Sequence, residues 1–321
     1  MKIALTGATG HLGYVLHQQL LAQNINHRIL MRHKEEFISH DDFVIGALGE
    51  QKAIENLVKD CSVVVHVAGI VWPKKGKNNT VQQVNYEYSK HLYETAKRAG
   101  AKHFVYISSI HSMIVPPLEK VFDETAALEQ NPKLSYNYSK ACMERYLAKQ
   151  NEMKITVINP TAVIGTGDTY VNGMNQLFVR AMQNKLPMVT AGGYNIVDVR
   201  MVTEAILQSV LKGKTGKYIL GDQYHTMMDI TQQFGAVNGI KVTQKVLGKR
   251  SMKALAAMVR PLELIVKKPM PINSYAVETL LEGHPNISSE KAKKELGLTP
   301  IPMEKTLRDL FVWFKEKKLM L

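Results

Sequence analysis

Over the first two-thirds of the chain, short runs of β-branched and apolar residues alternate with longer stretches whose apolar positions recur every three or four residues. That rhythm predicts a parallel sheet covered by helices on both faces. The strand-like runs are Lys2–Thr6, Arg28–Met31, Phe43–Ile45, Val63–Val67, His103–Ile107 and Ile155–Ile158; His11–Gln23, Val84–Ala99 and Tyr136–Gln150 read as helices between them. Val63–Val67 is almost continuously β-branched, as a strand buried on both faces requires. The expected fold class is therefore α/β, a doubly wound parallel sheet. From Gly165 the rhythm changes. Gly165-Thr166-Gly167-Asp168 reads as a loop and Asn175–Asn184 as a helix, while Ile196–Val199 and Tyr218–Leu220 are expected to return to the sheet. Residues 227–321 read as helical and loop-rich, with prolines at 261, 269, 271, 285, 300 and 302. The expected division is a sheet domain of residues 1–164 plus about 187–226, and a smaller, mostly helical lobe of 165–186 plus 227–321.

Composition narrows the class. With 45% hydrophobic and 21% charged residues, large-scale disorder is excluded. Cys61 and Cys142 form no CxxC pair and cannot frame a chain of 321 residues, which points to a reducing, cytoplasmic setting. Met1–Gly7 lacks the apolar segment of a signal peptide. The run Val63–Trp72, interrupted by His66 and Gly69, is far too short to span a bilayer, so no transmembrane segment is expected. The net charge of +13 favours anionic partners. However, Lys74-Lys75-Lys77, Lys291-Lys293-Lys294 and Lys315-Lys317-Lys318 are scattered and carry no interleaved aromatics. They read as solvated surface, and no nucleic-acid partner is expected. The apolar stretch Ser251–Lys268, with Lys253, Arg260, Lys267 and Lys268, fits an anionic membrane surface or, more simply, a helix of the smaller lobe. Eleven histidines form no HExxH or Cys/His cluster, so no metal is expected. The sequence leaves a homodimer open.

Gly7-Ala8-Thr9-Gly10-His11-Leu12-Gly13 follows the first strand and opens the first helix. Glycines at Gly7, Gly10 and Gly13 permit a tight turn, close approach of backbone N–H groups to phosphates, and close helix–strand packing. The helix N-terminus, with Thr9, His11 and Leu12 around it, offers partial positive charge to a pyrophosphate. The larger domain therefore reads as a Rossmann domain. An acidic residue at the end of the second strand would accept bonds from ribose hydroxyls; here the strand ends in Arg32-His33-Lys34. A guanidinium binds phosphate in bidentate fashion, which favours NADP(H) over NAD(H). The simpler reading of Arg32 is an exposed basic strand end.

Tyr136 and Lys140 stand at i and i+4 on one helix face. A lysine ammonium ~4 Å from a phenol lowers its pKa by up to ~3 units, so Tyr136 is expected to be acidified. Ser108-Ser109 ends the fifth strand, where ligands of α/β proteins bind. A Tyr–Lys pair alone is usually a solvated face; joined to a phosphate turn and a strand-end serine it marks a candidate site.

With these residues in view, the chain resembles an extended short-chain dehydrogenase/reductase of the NAD-dependent epimerase/dehydratase family, most like the dihydroflavonol 4-reductase and 3β-hydroxysteroid dehydrogenase group. The resemblance rests on residues 6–13, Val65-His66-Val67-Ala68-Gly69, Asn85, Ser108-Ser109, Tyr136/Lys140, Asn159-Pro160, residues 193–200 and His284-Pro285-Asn286-Ile287-Ser288, and so covers nearly the whole chain. It implies hydride transfer between NADP(H) and a carbonyl or alcohol carbon of a small to medium, partly apolar substrate held by the smaller lobe. Tyr136 would be general acid/base, Lys140 its ribose-binding neighbour, and Ser109, with Ser108 as fallback, would bond the substrate oxygen. Ala68 would pack near the ribose, Pro160 would border the nicotinamide, and Asn85 would be either structural or a proton relay. Two positions depart from the family: Ala47 stands after Gly46, and Met201 after Arg200, where an acid is usual. A nucleotide-sugar epimerase or dehydratase with bound NAD is the runner-up. It is disfavoured by Gly192-Gly193-Tyr194-Asn195, which carries no cation for a diphosphate. A non-catalytic NADP-binding sensor is the third reading, disfavoured by the intact Tyr136/Lys140 pair.

Overall fold

The computed structural model describes residues 1–71, 78–171, 173–242, 244–248, Ser251, Ala254 and residues 283–318. The lysines at 74, 75 and 77, and all of Ser251–Lys268 but Ser251 and Ala254, lie outside the described residues. Strands in chain order are β1 (Ile3–Thr6), β2 (His27–Met31), β3 (Phe43–Ile45), β4 (Val63–His66), β5 (His103–Ile107), β6 (Lys154–Pro160), β7 (Ala162–Ile164), β8 (Met188–Thr190), β9 (Gly193–Asp198), β10 (Gly216–Leu220), β11 (Gln223–Thr226) and β12 (Lys245–Leu247). Helices are α1 (His11–Ala22), α2 (Gln51–Val58), α3 (Asn78–Gln82), α4 (Ser89–Arg98), α5 (Ser135–Leu147), α6 (Gly173–Met182), α7 (Val199–Leu211), α8 (Met227–Asn238), α9 (Glu290–Leu296) and α10 (Met303–Glu316), with a π-helical turn at Gln83–Tyr88 between α3 and α4.

Seven strands form one parallel sheet in the order β3-β2-β1-β4-β5-β6-β10. The order reverses between β1 and β4, so the carboxyl ends of these two strands flank the crevice where ligands of doubly wound sheets bind. Side-chain alternation builds two cores. Ile3, Leu5, Val63, Val65, Val105 and Ile107 face Leu16 and Leu20 of α1 and Met201–Val210 of α7. Ala4, Val64, Phe104 and Tyr106 face Leu57 of α2, Leu92 and Tyr93 of α4, and Met143 and Leu147 of α5. Each fully buried Val or Leu contributes about 1.5–3 kcal/mol, so both faces are strongly specified. The helix carrying Tyr136 and the helix following the glycine turn thus lie on opposite faces of the sheet.

One strand goes elsewhere than expected. Ile196–Val199 does not return to the main sheet: β9 pairs with β7 and β11 in a separate three-stranded sheet, and Val199 begins α7. The physical cause is β7, which continues the chain just beyond β6 and pairs with β9, leaving the edge beside β6 to β10. A third cluster, with Phe178, Phe234, Leu307 and Phe314, joins α6, α8 and α10. Among the described residues no helix is long and apolar enough to cross a membrane, and no group of three or more His, Cys, Asp or Glu is arranged to hold a metal ion.

Candidate active site

The glycine turn is built by steric necessity. Gly7 has φ +79°, and a Cβ there would stand 2.7 Å from the Ala68 nitrogen. A Cβ on Gly13 would stand 2.0 Å from the Gly7 carbonyl oxygen, so only glycine lets α1 start this close to β1. Gly10 caps α1 without a side-chain hydrogen bond, whereas Asp198 caps α7 and Thr226 caps α8. The first N–H groups of α1 are therefore left to an anion. Thr9 is half-buried and Gly10 exposed. His11 and Leu12 contribute backbone rather than side chain: the His11 imidazole lies 3.0 Å from the Thr166 carbonyl, and Leu12 packs against the core. Burial pushes the His11 pKa down, against the pull of Asp168.

Ala68 follows β4 and donates its N–H to Thr6 Oγ1 at 3.2 Å. Thr6 Oγ1 is 2.7 Å from His66 Nδ1, and His66 Nε2 is 2.7 Å from Ser89 Oγ. Burial pushes His66 down to about 3, so the ring is neutral and joins two hydroxyls. Arg32 follows β2, is exposed, and makes no hydrogen bond or ion pair among the described residues. Its neighbour Glu35 is taken by His33 at 2.9 Å and by the Tyr170 hydroxyl at 3.0 Å. These features, a cradle that a Cβ would fill, an uncapped helix start and an uncommitted guanidinium, fit a dinucleotide.

At the ends of β5 and β6 the two serines separate. Ser108 Oγ donates to Glu144 Oε1 at 2.5 Å. Ser109 accepts from the His111 N–H at 3.2 Å and lies close enough to Tyr136 to act on the phenol's pKa, lowering it. Tyr136 is buried, and burial raises its pKa above the ordinary phenol value, with Ser109 acting the other way. The expected acidification by Lys140 is therefore not what prevails. Lys140 Nζ donates to the Ile107 carbonyl at 2.7 Å and rests 4.8 Å over the Tyr106 ring, so its charge is directed at the strand end. Burial pulls Lys140 down to about 8, with Glu144 opposing. A Cβ on Gly69 would meet Lys140 Nζ at 3.2 Å, which puts the ammonium beside the β4 loop. Pro160 ends β6 on the same edge.

Asn85 sits in the π-helical turn with its amide fully engaged. It accepts from the Ile70 N–H at 2.8 Å and donates to the Ile70 carbonyl at 2.9 Å and Ser139 Oγ at 3.2 Å. These bonds hold the loop that follows Gly69. Glu144 and Lys217 enter the site's surroundings without having been expected, and Asn159, named in the sequence only among the residues of the resemblance, joins them. Glu144 could have been noticed, because it extends the Tyr136/Lys140 spacing by one more i+4 step.

The fold and edge-of-sheet geometry are those of a doubly wound α/β protein with a glycine turn suited to a dinucleotide. The family model of the NAD dependent epimerase/dehydratase family matches residues 3–219, more than half of the chain, and the chain belongs to that family. It is 24% identical over 329 residues to "Sterol demethylase protein B" of Methylococcus capsulatus, covering 100% of both chains. It is 25% identical over 332 residues to "Putative dihydroflavonol 4-reductase" of Synechocystis, covering 97% of this chain and 94% of the relative. Among solved structures, "Crystal structure of gox2253" superposes with TM-score 0.84 at 23% identity, covering 100% of this chain and 99% of that one; this likeness bears on the fold. The chain is thus a family oxidoreductase using a nicotinamide cofactor.

Proposed function

We propose that the chain is an NADP(H)-dependent reductase or dehydrogenase that moves a hydride between nicotinamide and a carbonyl or alcohol carbon of a small to medium, partly apolar substrate. The observation that carries this reading is a buried Tyr136 with Ser109, also buried, acting on its pKa, at the sheet edge that also carries the glycine turn. Gly7, Thr9, Gly10, His11, Leu12 and Gly13 would hold the pyrophosphate, chiefly by backbone. Arg32 would meet a 2′-phosphate, and Ala68, Lys140 and Pro160 would border the ribose and ring. The bound cofactor supplies the hydride donor or acceptor. A phenol kept protonated by burial suits proton donation to an oxygen that gains charge during reduction. Ser109 would hold that oxygen in line. Lys140, at about 8, carries its positive charge at neutral pH and loses it as pH rises through 8, so NADPH affinity is expected to fall there. The names of the sterol demethylase protein and the dihydroflavonol reductase support a partly apolar substrate.

Fluorescence titration of NADPH against NADH, followed by turnover on a panel of ketones, aldehydes and UDP-sugars, tests the proposal. Tighter NADPH binding with reduction of a carbonyl is the expected result. Epimerisation of a UDP-sugar with NAD retained would replace it, and binding without any turnover would favour a sensor.

A further inference from the structure

Glu144 is a carboxylate with 3% exposure, one helical turn beyond Lys140 and two beyond Tyr136, that touches neither reacting side chain by hydrogen bond among the described residues. Its Oε1 accepts from Ser108 Oγ at 2.5 Å, from Asn159 Nδ2 at 2.7 Å and from Ser112 Oγ. Its Oε2 lies 2.9 Å from Lys217 Nζ, which reaches over from β10. The three donors on Oε1 come from the two ends of the turn containing Ser109 and from the end of the neighbouring strand. Asn159 Nδ2 also lies 3.0 Å from the Ser109 carbonyl, and Ser112 Oγ lies 2.8 Å from it. The main-chain carbonyl of Ser109 is thereby approached from both sides by groups that converge on one carboxylate. Asn159 has an amide proton for each acceptor, and Ser112 a single hydroxyl proton that serves one of the two at a time.

We infer that Glu144, anchored by Lys217, is the positioning residue that holds the Ser109 hydroxyl against Tyr136. A position of purely structural use would be served better by an apolar side chain, because a buried ion pair is costly to desolvate and often adds nothing to stability. What the carboxylate supplies is direction: a single acceptor orients two hydroxyls and an amide on separate elements. The same charge opposes the effect of burial on Lys140, so it also helps keep that ammonium protonated. The kinetic part of this inference rests on the reductase reading; the spectroscopic part does not.

The test compares wild type with E144Q and S112A. Tyrosine labelled with 13C at Cζ gives a resonance for Tyr136, assigned by its loss in Y136F, that reports the phenol's hydrogen bond without any substrate. In E144Q, which keeps an acceptor oxygen but loses the charge, that resonance is expected to move. NADPH binding by fluorescence should stay within about 3-fold, and kcat on the best carbonyl of the panel should fall roughly 10- to 100-fold with KM little changed. S112A removes one donor and leaves three contacts, so it is expected to shift the resonance and kcat in the same direction by less. It serves as the deciding variant if E144Q does not fold. A folded variant with an unmoved Tyr136 resonance, or with kcat lowered only in proportion to the folded fraction, overturns the positioning role. Wild type inert on every carbonyl would remove the reductase reading while the resonance still decides the role of Glu144.

Discussion

The two ends of the parallel sheet use similar residues to opposite ends. At the amino edge, Asp42 pairs with Lys2 and Arg28, each at 2.6 Å, and Arg28 also bonds the carbonyls of Asn56 and Lys59 at 2.8 Å. Beside them, His17 Nδ1 lies 2.9 Å from His27 Nε2, and His40 stacks on His27 at 4.3 Å. At the carboxyl edge, Arg32 makes no hydrogen bond or ion pair among the described residues, α1 begins without a side-chain cap, and Ser109 acts on the buried Tyr136. One end uses its polar groups in holding the fold; the other does so too with Lys140, Ser108 and Glu144, yet leaves Arg32 exposed with no hydrogen bond or ion pair among the described residues. Arg28 and Arg32 make the point: Arg28 stands near the start of β2 and Arg32 just past its end, and among the described residues Arg28 has hydrogen-bond and ion-pair partners while Arg32 has none.

Four measurements sharpen that contrast. The largest effect is expected from Y136F, with kcat down roughly 100- to 10,000-fold on a carbonyl substrate and NADPH binding retained, checked by steady-state kinetics beside fluorescence titration. The second lies at the amino edge and concerns pH. Burial holds His17 at about 4, below its ordinary 6.5, so the unfolded chain binds the proton more readily. Stability from His17 is therefore present above 6.5 and is lost as pH falls, at up to about 1.4 kcal/mol per pH unit between 6.5 and 4. Urea unfolding across that range should be shallower in H17N by about one proton; an identical slope would remove His17 from the account. Third, R32D should weaken NADPH binding roughly 10- to 100-fold and NADH binding little, since it removes a charge-assisted contact. Smallest, R28A should cost about 1–2 kcal/mol of stability, its ion pair being partly exposed, and leave cofactor preference untouched. If R28A alters preference as R32D does, the division between the two ends fails.

Much of this was legible along the chain because its causes are local. The glycine spacing of Gly7, Gly10 and Gly13, the β-branched run of β4 and the Tyr136/Lys140 turn each need only neighbouring residues to be understood. Three features were not legible. β9 left the main sheet because β7, three residues long, gave it a partner. Tyr136 is raised rather than acidified because burial and the direction of Lys140 towards Ile107 depend on how α5 sits on β5. Ser108 and Ser109 look alike in the sequence, and only Glu144, 36 residues beyond Ser108, tells them apart.

The sequence by itself determined the periodicities, and through them the doubly wound sheet, the phosphate turn and the helix that carries Tyr136. Such patterns are set by steric and hydrophobic rules acting within a few residues. Tertiary structure alone decided which polar groups find partners, because Glu144, Lys217 and Asn159 are brought together from separate elements and the field at each atom depends on everything packed around it. That is why the candidate residues could be picked out along the chain, while the partners and protonation of each required the fold.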